Sequence, residues 1–384
     1  MRVLFVHSSS GRYGADRQLA LIATGLDRAS YEPLVVLPER GELATELQAA
    51  GIEVLTRPLA VIRRGLMNPR GIAALALAAA RDAAGLRALI KRRGIALVHS
   101  NTSVVLAGAA AAAAAGVSHV WHVREIYSRF ERLWPGYRRL LASATALPCV
   151  SRATAAQFGT RGRPVVIPDG LATDARRAPR AQARAALGLE AQTPVLAVVG
   201  RISDWKGQEV LVRALAQPPL RDRGAVGLIA GEPWPGSERY RTRLVALAQA
   251  SGVGERLRML GFRPDLETVW GACDLVAVPS TAADPLPGSA IEAAAAGCAV
   301  IASALGGLPE IIHDRQTGRL LAPGDACALA ELAAELLDDP VERDRLGAAA
   351  AHDVRERFAP AVLLRSIEGL YARIRGETQT ARRR

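Results

Sequence analysis

Residues 280–292 read Ser280-Thr-Ala-Ala-Asp284-Pro-Leu-Pro-Gly288-Ser-Ala-Ile-Glu292. The stretch follows a strand-like apolar run at 273–278 and leads into an alanine-rich helical segment that carries Glu292 in its first turn. Ligands of open α/β sheets collect at such loops, because free N–H groups and the helix dipole point at the crevice beyond the strand. The pattern therefore predicts an α/β fold with a ligand site at this loop.

Two acids frame this loop. Asp284 lies in the loop and Glu292 in the helix, so both carboxylates can face one ligand. Paired carboxylates suit a polyhydroxylated ligand, since each accepts charge-assisted hydrogen bonds from neighbouring hydroxyls. The alternative is that Glu292 only favours the helix N-terminus and that Asp284 is a solvated loop acid. Spacing alone leaves both interpretations open.

Strand and helix patterns alternate on both sides of a turn at residues 168–170. This alternation predicts a doubly wound parallel sheet in each half. The predicted strands are 2–7, 32–37, 52–56, 95–99, 118–123, 144–150 and 164–167, then 194–200, 226–230, 258–260, 273–278 and 298–302. The predicted helices include 69–93, 103–115, 126–141, 325–337, 341–358 and 360–375. We expect an N-terminal domain at 1–171, a C-terminal domain at 172–359 and a final segment at 360–384.

Composition limits the classes of function. Half of the 384 residues are hydrophobic, which excludes general disorder and allows two cores of ordinary size. The longest apolar run, 104–117, is too short for a membrane span, and residues 1–7 are too short for a signal peptide, so we expect a cytoplasmic protein. Four scattered cysteines lack metal-ligand spacing and are expected to be reduced core residues: Cys149, Cys273, Cys298 and Cys327.

Positive charge is concentrated in the first half. Residues 1–171 hold 22 Lys and Arg against 11 Asp and Glu, while 172–384 hold 27 against 26. A basic half suits an anionic membrane surface, an acidic or phosphorylated acceptor, or nucleic acid. Zinc, RRM and KH signatures are missing and aromatic residues are few, so we expect no nucleic acid partner. The alternative is that arginines simply decorate a solvated surface.

The predicted helix 126–141 is basic and amphipathic. It carries Arg129, Arg132, Arg138 and Arg139 among Phe130, Leu133, Trp134, Leu140 and Leu141. Such a helix can lie on an anionic membrane with its aromatic residue as an anchor. More often it packs on its own domain, which is the interpretation we favour.

The loop at 201–207 carries two cations between a strand and a helix. Lys206 is one of only two lysines in the chain, the other being Lys91. Arg201 and Lys206 can clamp a diphosphate, the arginine as a planar fork and the lysine as a compact charge. A solvated surface loop is the alternative.

These stretches together resemble glycosyltransferase family 4. The resemblance rests on an ordered set of motifs, dense from residue 194 to 323: Val199-Gly200-Arg201, Lys206-Gly207, Gly261-Phe262, Pro279-Ser280, Asp284 with Glu292 eight residues on, Gly306-Gly307-Leu-Pro-Glu310 and Thr317-Gly318. In the first half, Gly14-Ala-Asp16 resembles the family's acceptor-side loop and residues 167–170 resemble its hinge. The resemblance implies a retaining enzyme of GT-B fold, with two Rossmann-like domains facing across a cleft and a C-terminal helix crossing back to the first domain.

The resemblance also assigns a donor site. Arg201 and Lys206 would hold the diphosphate of a nucleotide-sugar donor and stabilise the charge that grows on it. Glu292 would bind the ribose. The transferred sugar would lie against Asp284 and the backbone of Leu286, Pro287 and Gly288, and the donor-binding set further includes Gly14 and Phe262. Asp284 stands where the family usually has glutamate, which puts the identity of the sugar in doubt.

The first half supplies the other candidates. Many relatives have a histidine followed by an acid after the fifth strand, and Arg124 occupies the histidine's position here, followed by Glu125. Either Arg124 makes the contact to donor or acceptor that the family's histidine makes, or His122 makes it instead. The catalytic set implied by the resemblance is Arg201, Lys206, His122, Arg124 and Glu125. His99 ends a strand and is expected to be a satisfied core histidine rather than part of the cleft.

The implied function is transfer of a hexosyl group, with retention, to an acceptor hydroxyl. We expect no metal and no cofactor beyond the nucleotide-sugar co-substrate. The expected acceptor is a lipid-linked or cell-envelope glycan precursor at the inner membrane face, reached through the basic N-terminal domain. Three alternatives remain: a sugar-nucleotide 2-epimerase of GT-B fold, a non-catalytic sugar-nucleotide-binding subunit, and, on charge alone, a nucleic-acid-binding protein.

Overall fold

The computed structural model describes residues 1–127, 134–234 and 236–383. Its internal contacts divide the chain into two compact units. Unit 1 comprises Met1–Ala172 and Pro360–Arg384, and unit 2 comprises Thr173–Ala359.

The described part of unit 1 contains a parallel sheet in the order β3-β2-β1-β4-β5. Its strands are β1 Arg2–Val6, β2 Glu32–Leu37, β3 Glu53–Thr56, β4 Leu97–Ser100 and β5 Ser118–Trp121. The central strand β1 is almost wholly apolar and pairs on both sides, so residues 3–6 are completely buried. A second, small sheet pairs β6 Pro148–Cys149 with β7 Val165–Val166.

Helices connect and cover these strands. They are α1 Gly14–Gly25, α2 Glu42–Ala49, α3 Pro69–Arg93, α4 Ala107–Ala115, α5 Trp134–Leu141 and α6 Arg152–Ala156, with a short 3₁₀ helix at Arg64–Leu66. The final helix, Pro360–Arg383, belongs to the same unit. Its apolar face, which includes Leu363, Ile367 and Tyr371, packs into the core beside α1 and β1.

Unit 2 repeats the design with a parallel sheet in the order β10-β9-β8-β11-β12-β13. The strands are β8 Val195–Val199, β9 Val226–Ala230, β10 Leu257–Gly261, β11 Leu275–Val278, β12 Ala299–Ser303 and β13 Arg319–Leu321. The helices are α7 Arg180–Ala186, α8 Gln208–Ala216, α9 Pro218–Arg221, α10 Arg239–Ala250, α11 Leu266–Ala272, α12 Gly288–Ala295, α13 Ala326–Asp338 and α14 Pro340–Arg357, with 3₁₀ helices at Gly254–Arg256 and Leu308–Glu310. The chain's last helix is α15.

Several sequence-based predictions need correction. The predicted strand 144–150 contributes only β6, outside the five-stranded sheet, and β13 was not predicted. The helix expected from residue 103 begins at Ala107, because residues 103–104 form a turn and Val105 forms a bridge with Val61. Helix α15 continues to Arg383, beyond the predicted end at 375.

The predicted basic helix 126–141 is helical only from Trp134 in the described residues. Residues 128–133, which include Arg129, Phe130, Arg132 and Leu133, lie outside them. Trp134 stacks on Tyr127 with ring centroids 4.9 Å apart, and Leu141 is fully buried. The aromatic side of this helix therefore packs on unit 1. Within the described chain, no helix is both long and apolar enough to cross a membrane.

Candidate functional site

The loop after β8 carries Arg201 at the carboxyl end of the sheet of unit 2. Its guanidinium carbon lies 3.2 Å from the ring centroid of Trp234, which is in the loop after β9. The backbone carbonyl of Arg201 accepts a hydrogen bond from Gln208 at the start of α8. Stacking on an aromatic face holds a guanidinium in one plane without neutralising its charge. Arg201 is therefore oriented and remains cationic.

Lys206 and Asp284 meet at the same edge. The Lys206 ammonium donates to Asp284 Oδ2 at 2.6 Å, and the residues are 78 positions apart in sequence. The Lys206 side chain is 20% exposed, whereas Asp284 is 4% exposed. The ammonium also lies 4.6 Å from the Trp205 ring. The fold thus brings together one residue of the predicted diphosphate clamp and one of the predicted sugar-binding loop.

Gly207 allows the two loops to approach closely. It has φ of +77° at the N-cap of α8, and a Cβ there would lie 1.9 Å from the carbonyl oxygen of Pro279. Only glycine fits such a position, since the contact is with backbone that has no freedom to move aside. Gly207 therefore fixes Lys206 against the end of β11.

Gly306 and Gly307 allow their own loop to approach the loop that carries Asp284. A Cβ on Gly306 would lie 2.3 Å from the Asp284 carbonyl oxygen, and one on Gly307 would lie 2.1 Å from that of Pro285. The Gly307 N–H donates to the Asp284 carbonyl at 2.8 Å. This backbone contact explains the glycine pair of the Gly-Gly-Leu-Pro-Glu motif.

Helix α12 begins at Gly288, with Pro287 as its N-cap. Glu292 is therefore its fifth residue and lies in the second turn, so the prediction that it occupies the first turn was wrong. The helix starts directly after Pro287, whose carbonyl accepts the first turn's hydrogen bond from Ala290. The N-terminal N–H groups belong to residues 288–290, beside buried Leu286.

Three serines mark the carboxyl ends of strands in unit 2. Ser203 follows β8, Ser280 follows β11 and Ser303 ends β12. Each hydroxyl is buried and has no hydrogen-bond partner among the described residues. A buried hydroxyl without a partner is costly, so these oxygens favour a ligand or water at this edge.

The corresponding edge of unit 1 carries three aligned polar residues. The strand register places His7 beside Asn101 and Asn101 beside His122, directly after β1, β4 and β5. All three side chains are fully buried. Asn101 donates to His7 Nδ1 at 3.2 Å, so His7 Nε2 carries the proton that it donates to Asp16 at 2.9 Å.

Arg124 is the centre of this cluster. Its Nε donates to the Asn101 carbonyl at 2.9 Å, its Nη2 reaches His122 Nδ1 at 3.4 Å, and its Nη1 pairs with the Asp169 carboxylate. The Arg124 side chain is 5% exposed. Gln18 holds the next residue, Gly170, by accepting from its N–H and donating to its carbonyl. Arg124 thus ties the strand edge to the turn that ends unit 1.

The neighbouring acid, Glu125, accepts hydrogen bonds from the hydroxyl and the N–H of Ser103. Burial raises the pKa of Glu125, and it also raises the pKa of Asp169 despite the Arg124 charge beside it. Burial, followed by the Arg124 charge, lowers the pKa of His122 well below its usual value. His122 is accordingly a neutral imidazole whose Nδ1 accepts a hydrogen bond from Arg124.

The other predicted residues are placed as follows. His99 is a buried core histidine whose Nδ1 lies 2.5 Å from the Tyr371 hydroxyl on α15, but its Nε2 has no hydrogen-bond partner among the described residues, so the predicted satisfied histidine is satisfied at one nitrogen only. Gly14 opens α1, and the space where its Cβ would stand is empty. Phe262 follows β10 and is partly buried. In the described residues, no group of three or more His, Cys, Asp or Glu could hold a metal ion.

Comparisons with known families cover both units. The model described as "Glycosyl transferases group 1" matches residues 179–353, and that described as "Glycosyltransferase Family 4" matches residues 13–175. The chain belongs to the group 1, family 4 glycosyltransferases. The family resemblance drawn from the sequence motifs is confirmed.

Curated relatives match part of this chain. A D-inositol 3-phosphate glycosyltransferase of Corynebacterium diphtheriae is 36% identical over 194 residues, which are 50% of this chain and 45% of that protein. The chain spans about half the length of the curated relatives it matches.

Solved structures match almost the whole chain. The Anabaena protein HepE, solved in complex with UDP and glucose, is 27% identical with a TM-score of 0.83, covering 97% of this chain and 99% of that one. Sucrose-phosphate synthase from Thermosynechococcus elongatus shares the fold at 23% identity and a TM-score of 0.80, covering 98% and 100%. The predicted fold class is confirmed: α/β, with two Rossmann-like parallel-sheet units of GT-B type.

Sequence reasoning missed several residues of these two edges. His7 and Asn101 could have been found, because His7 ends the predicted strand 2–7, Asn101 lies two residues after the predicted strand 95–99, and parallel strands end at one edge. Trp234 could not, since its contact with Arg201 joins loops 33 positions apart whose conformation no periodic pattern specifies.

Proposed function

We propose that this glycosyltransferase moves a hexosyl group from a nucleotide-diphosphate sugar to an acceptor hydroxyl, with retention of configuration. The observation that carries the proposal is the convergence of Arg201, Lys206 and Asp284 at one strand edge of unit 2. Two cations and a carboxylate match a diphosphate joined to a sugar. The unpartnered serine hydroxyls at the same edge support a polar ligand there.

UDP-glucose is the first donor to test. HepE, similar over nearly its whole length, has been solved with UDP-glucose at 27% identity to this chain. In the proposed complex, Arg201 and Lys206 bind the diphosphate and Glu292 binds the ribose. Asp284 and the backbone of residues 286–288 bind the sugar, while Phe262 lies by the base.

The proposed reaction takes place on one face of the sugar. The acceptor oxygen bonds to the anomeric carbon as the bond to the diphosphate breaks, and the acceptor proton passes to the departing diphosphate oxygen. Arg201 and Lys206 stabilise the charge that develops on the leaving group, which is the largest electrostatic demand of the step. Lys206 must turn from Asp284 toward the diphosphate, leaving Asp284 to accept hydrogen bonds from the sugar. The proposal includes no metal or other cofactor.

In unit 1 we assign Arg124 a positioning role. Its guanidinium already donates to Asn101, Asp169 and His122, so it orders the strand edge rather than reaching for a ligand. His122, kept neutral, would then present an uncharged imidazole to the acceptor, and Glu125, whose pKa is raised by burial, would present a carboxyl group. An acceptor hydroxyl requires hydrogen-bonding partners of this kind more than fixed charge.

The proposed acceptor is an anionic, lipid-linked or cell-envelope glycan precursor at the cytoplasmic face of the membrane. Unit 1 contains 28 Lys and Arg against 13 Asp and Glu, while unit 2 contains 21 against 24. The difference in net charge between the two units is larger than that between the two sequence halves, because α15 adds its arginines to unit 1. The curated relatives are named for a phosphorylated acceptor, D-inositol 3-phosphate.

The test is UDP release from UDP-glucose by the purified chain, with and without membrane extracts that contain lipid-linked acceptors. We expect acceptor-dependent release and a radiolabelled product with the α linkage of the donor. A donor converted to its 2-epimer without acceptor would identify an epimerase instead. Donor binding without any turnover would identify a non-catalytic subunit.

A further inference from the structure

The outward face of α3 is apolar along its first half. Residues 71–80 read Gly-Ile-Ala-Ala-Leu-Ala-Leu-Ala-Ala-Ala, without one polar side chain. Ile72 is 39% exposed and Leu77 is 76% exposed, and Leu66 just before the helix is 36% exposed. Exposed alanines complete this face: Ala73, Ala74, Ala76 and Ala80. Water-facing helices of globular proteins normally carry charged residues on this side.

The charges around this apolar face have one sign. Exposed Arg63 and Arg70 precede it, Arg81 follows it, and the second half of the helix continues with Arg87 and Lys91 on the exposed side. The helix contains a single acid, Asp82, which is 3% exposed and accepts a hydrogen bond from the Ala60 N–H. The solvent-facing side of α3 is therefore apolar along the first half of the helix, and basic residues lie before and after this apolar part.

We propose that this surface, residues 63–81, docks unit 1 on an anionic membrane. A helix of this composition lies in the plane of a lipid interface, with apolar side chains among the acyl chains and cations at the phosphates. A second copy of the chain is a poorer occupant, because two such faces would bring their arginine borders together. The inference deepens the proposed function, since it places the enzyme where a lipid-linked acceptor lies.

Binding to vesicles tests the surface without any turnover, so its failure is distinguishable from failure of the proposed enzyme activity. The full chain is floated with vesicles of phosphatidylcholine alone and with vesicles that contain phosphatidylglycerol. We expect binding only to the anionic vesicles. Leu77→Gln should weaken this binding about tenfold, because an exposed apolar side chain no longer enters the lipid. Replacing Arg63 and Arg70 by glutamine should weaken it about fivefold for each charge.

Val341 supplies a matched control. It is 81% exposed at the start of α14 in unit 2, so Val341→Gln removes a comparable exposed side chain without touching α3. We expect Val341→Gln to bind vesicles as the wild type does. Equal binding of Leu77→Gln and wild type, or binding that ignores lipid charge, would overturn the proposal. So would a change of oligomeric state in Leu77→Gln without loss of vesicle binding, which would identify a second copy as the occupant.

Discussion

The Lys206–Asp284 ion pair allows a quantitative test of the donor site before any ligand is known. Lys206→Ala removes the cation that is hydrogen-bonded to the carboxylate of Asp284, a residue that is 4% exposed. Breaking a fully buried pair costs about 3–5 kcal/mol, and a hydrogen bond between charged groups contributes about 1.5–3 kcal/mol. Because the Lys206 side chain is 20% exposed, water solvates it partly. We therefore expect Lys206→Ala to lower the free energy of unfolding by about 2 kcal/mol, within the range for a hydrogen bond between charged groups.

A double-mutant cycle isolates the pair. For a unit of this size, a loss of about 2 kcal/mol lowers the melting temperature by about 4–8 °C. Calorimetry, which separates the two units, should show this in Lys206→Ala, whereas the double variant Lys206→Ala/Asp284→Ala should lose less than the sum of the two single changes. Lys91→Ala, at the only other lysine, should change little, because that side chain is exposed on α3. Strictly additive losses would mean that the two groups are not paired in solution.

Three further results are expected. Gly207→Ala should destabilise unit 2 by about 3 kcal/mol because its Cβ would meet a backbone oxygen at 1.9 Å, whereas Gly224→Ala, also at positive φ but in open space, should cost about 1 kcal/mol; equal losses in denaturant titration would refute the steric reason. Burial lowers the pKa of His119 to about 3, so the unfolded state binds more protons below about pH 6.5 and stability is lost as pH falls. His119→Gln should therefore remove about 2 kcal/mol of the loss between pH 7 and pH 5, and an unchanged pH slope would contradict this. Trp234→Ala should weaken nucleotide binding about fivefold by releasing Arg201, with Trp234→Phe close to wild type in calorimetric titration; identical affinities would exclude the stacking role.

Buried strands were the most predictable part of the fold. β2 and β9 have their predicted bounds, because continuous apolar runs between turn residues specify a strand that is covered on both faces. Predictions failed where tertiary contacts override local pattern. The stretch before Ala107 leaves the helical pattern because Val105 pairs with Val61, and β13 is a short edge strand with an arginine in it.

The candidate sites were predictable in type more than in geometry. Strand ends and motif order identified Arg201, Lys206 and Asp284, yet only the fold shows that Lys206 and Asp284 are bonded to each other. The role of Arg124, which stands where the family has a histidine, could not be interpreted from sequence, since its partners Asn101 and Asp169 lie 23 and 45 positions away. Long-range pairing of this kind depends on strand order, which hydrophobic periodicity does not encode.

The most direct test of a donor site in unit 2 is thermal unfolding with UDP-, GDP-, ADP- and dTDP-sugars, for wild type and for Lys206→Ala. A ligand that binds only the folded state raises the melting temperature by mass action. We expect one nucleotide class to raise the melting temperature of the wild type and to leave that of Lys206→Ala unchanged. No rise with any donor, or an equal rise in the variant, would contradict a nucleotide-sugar site held by Lys206.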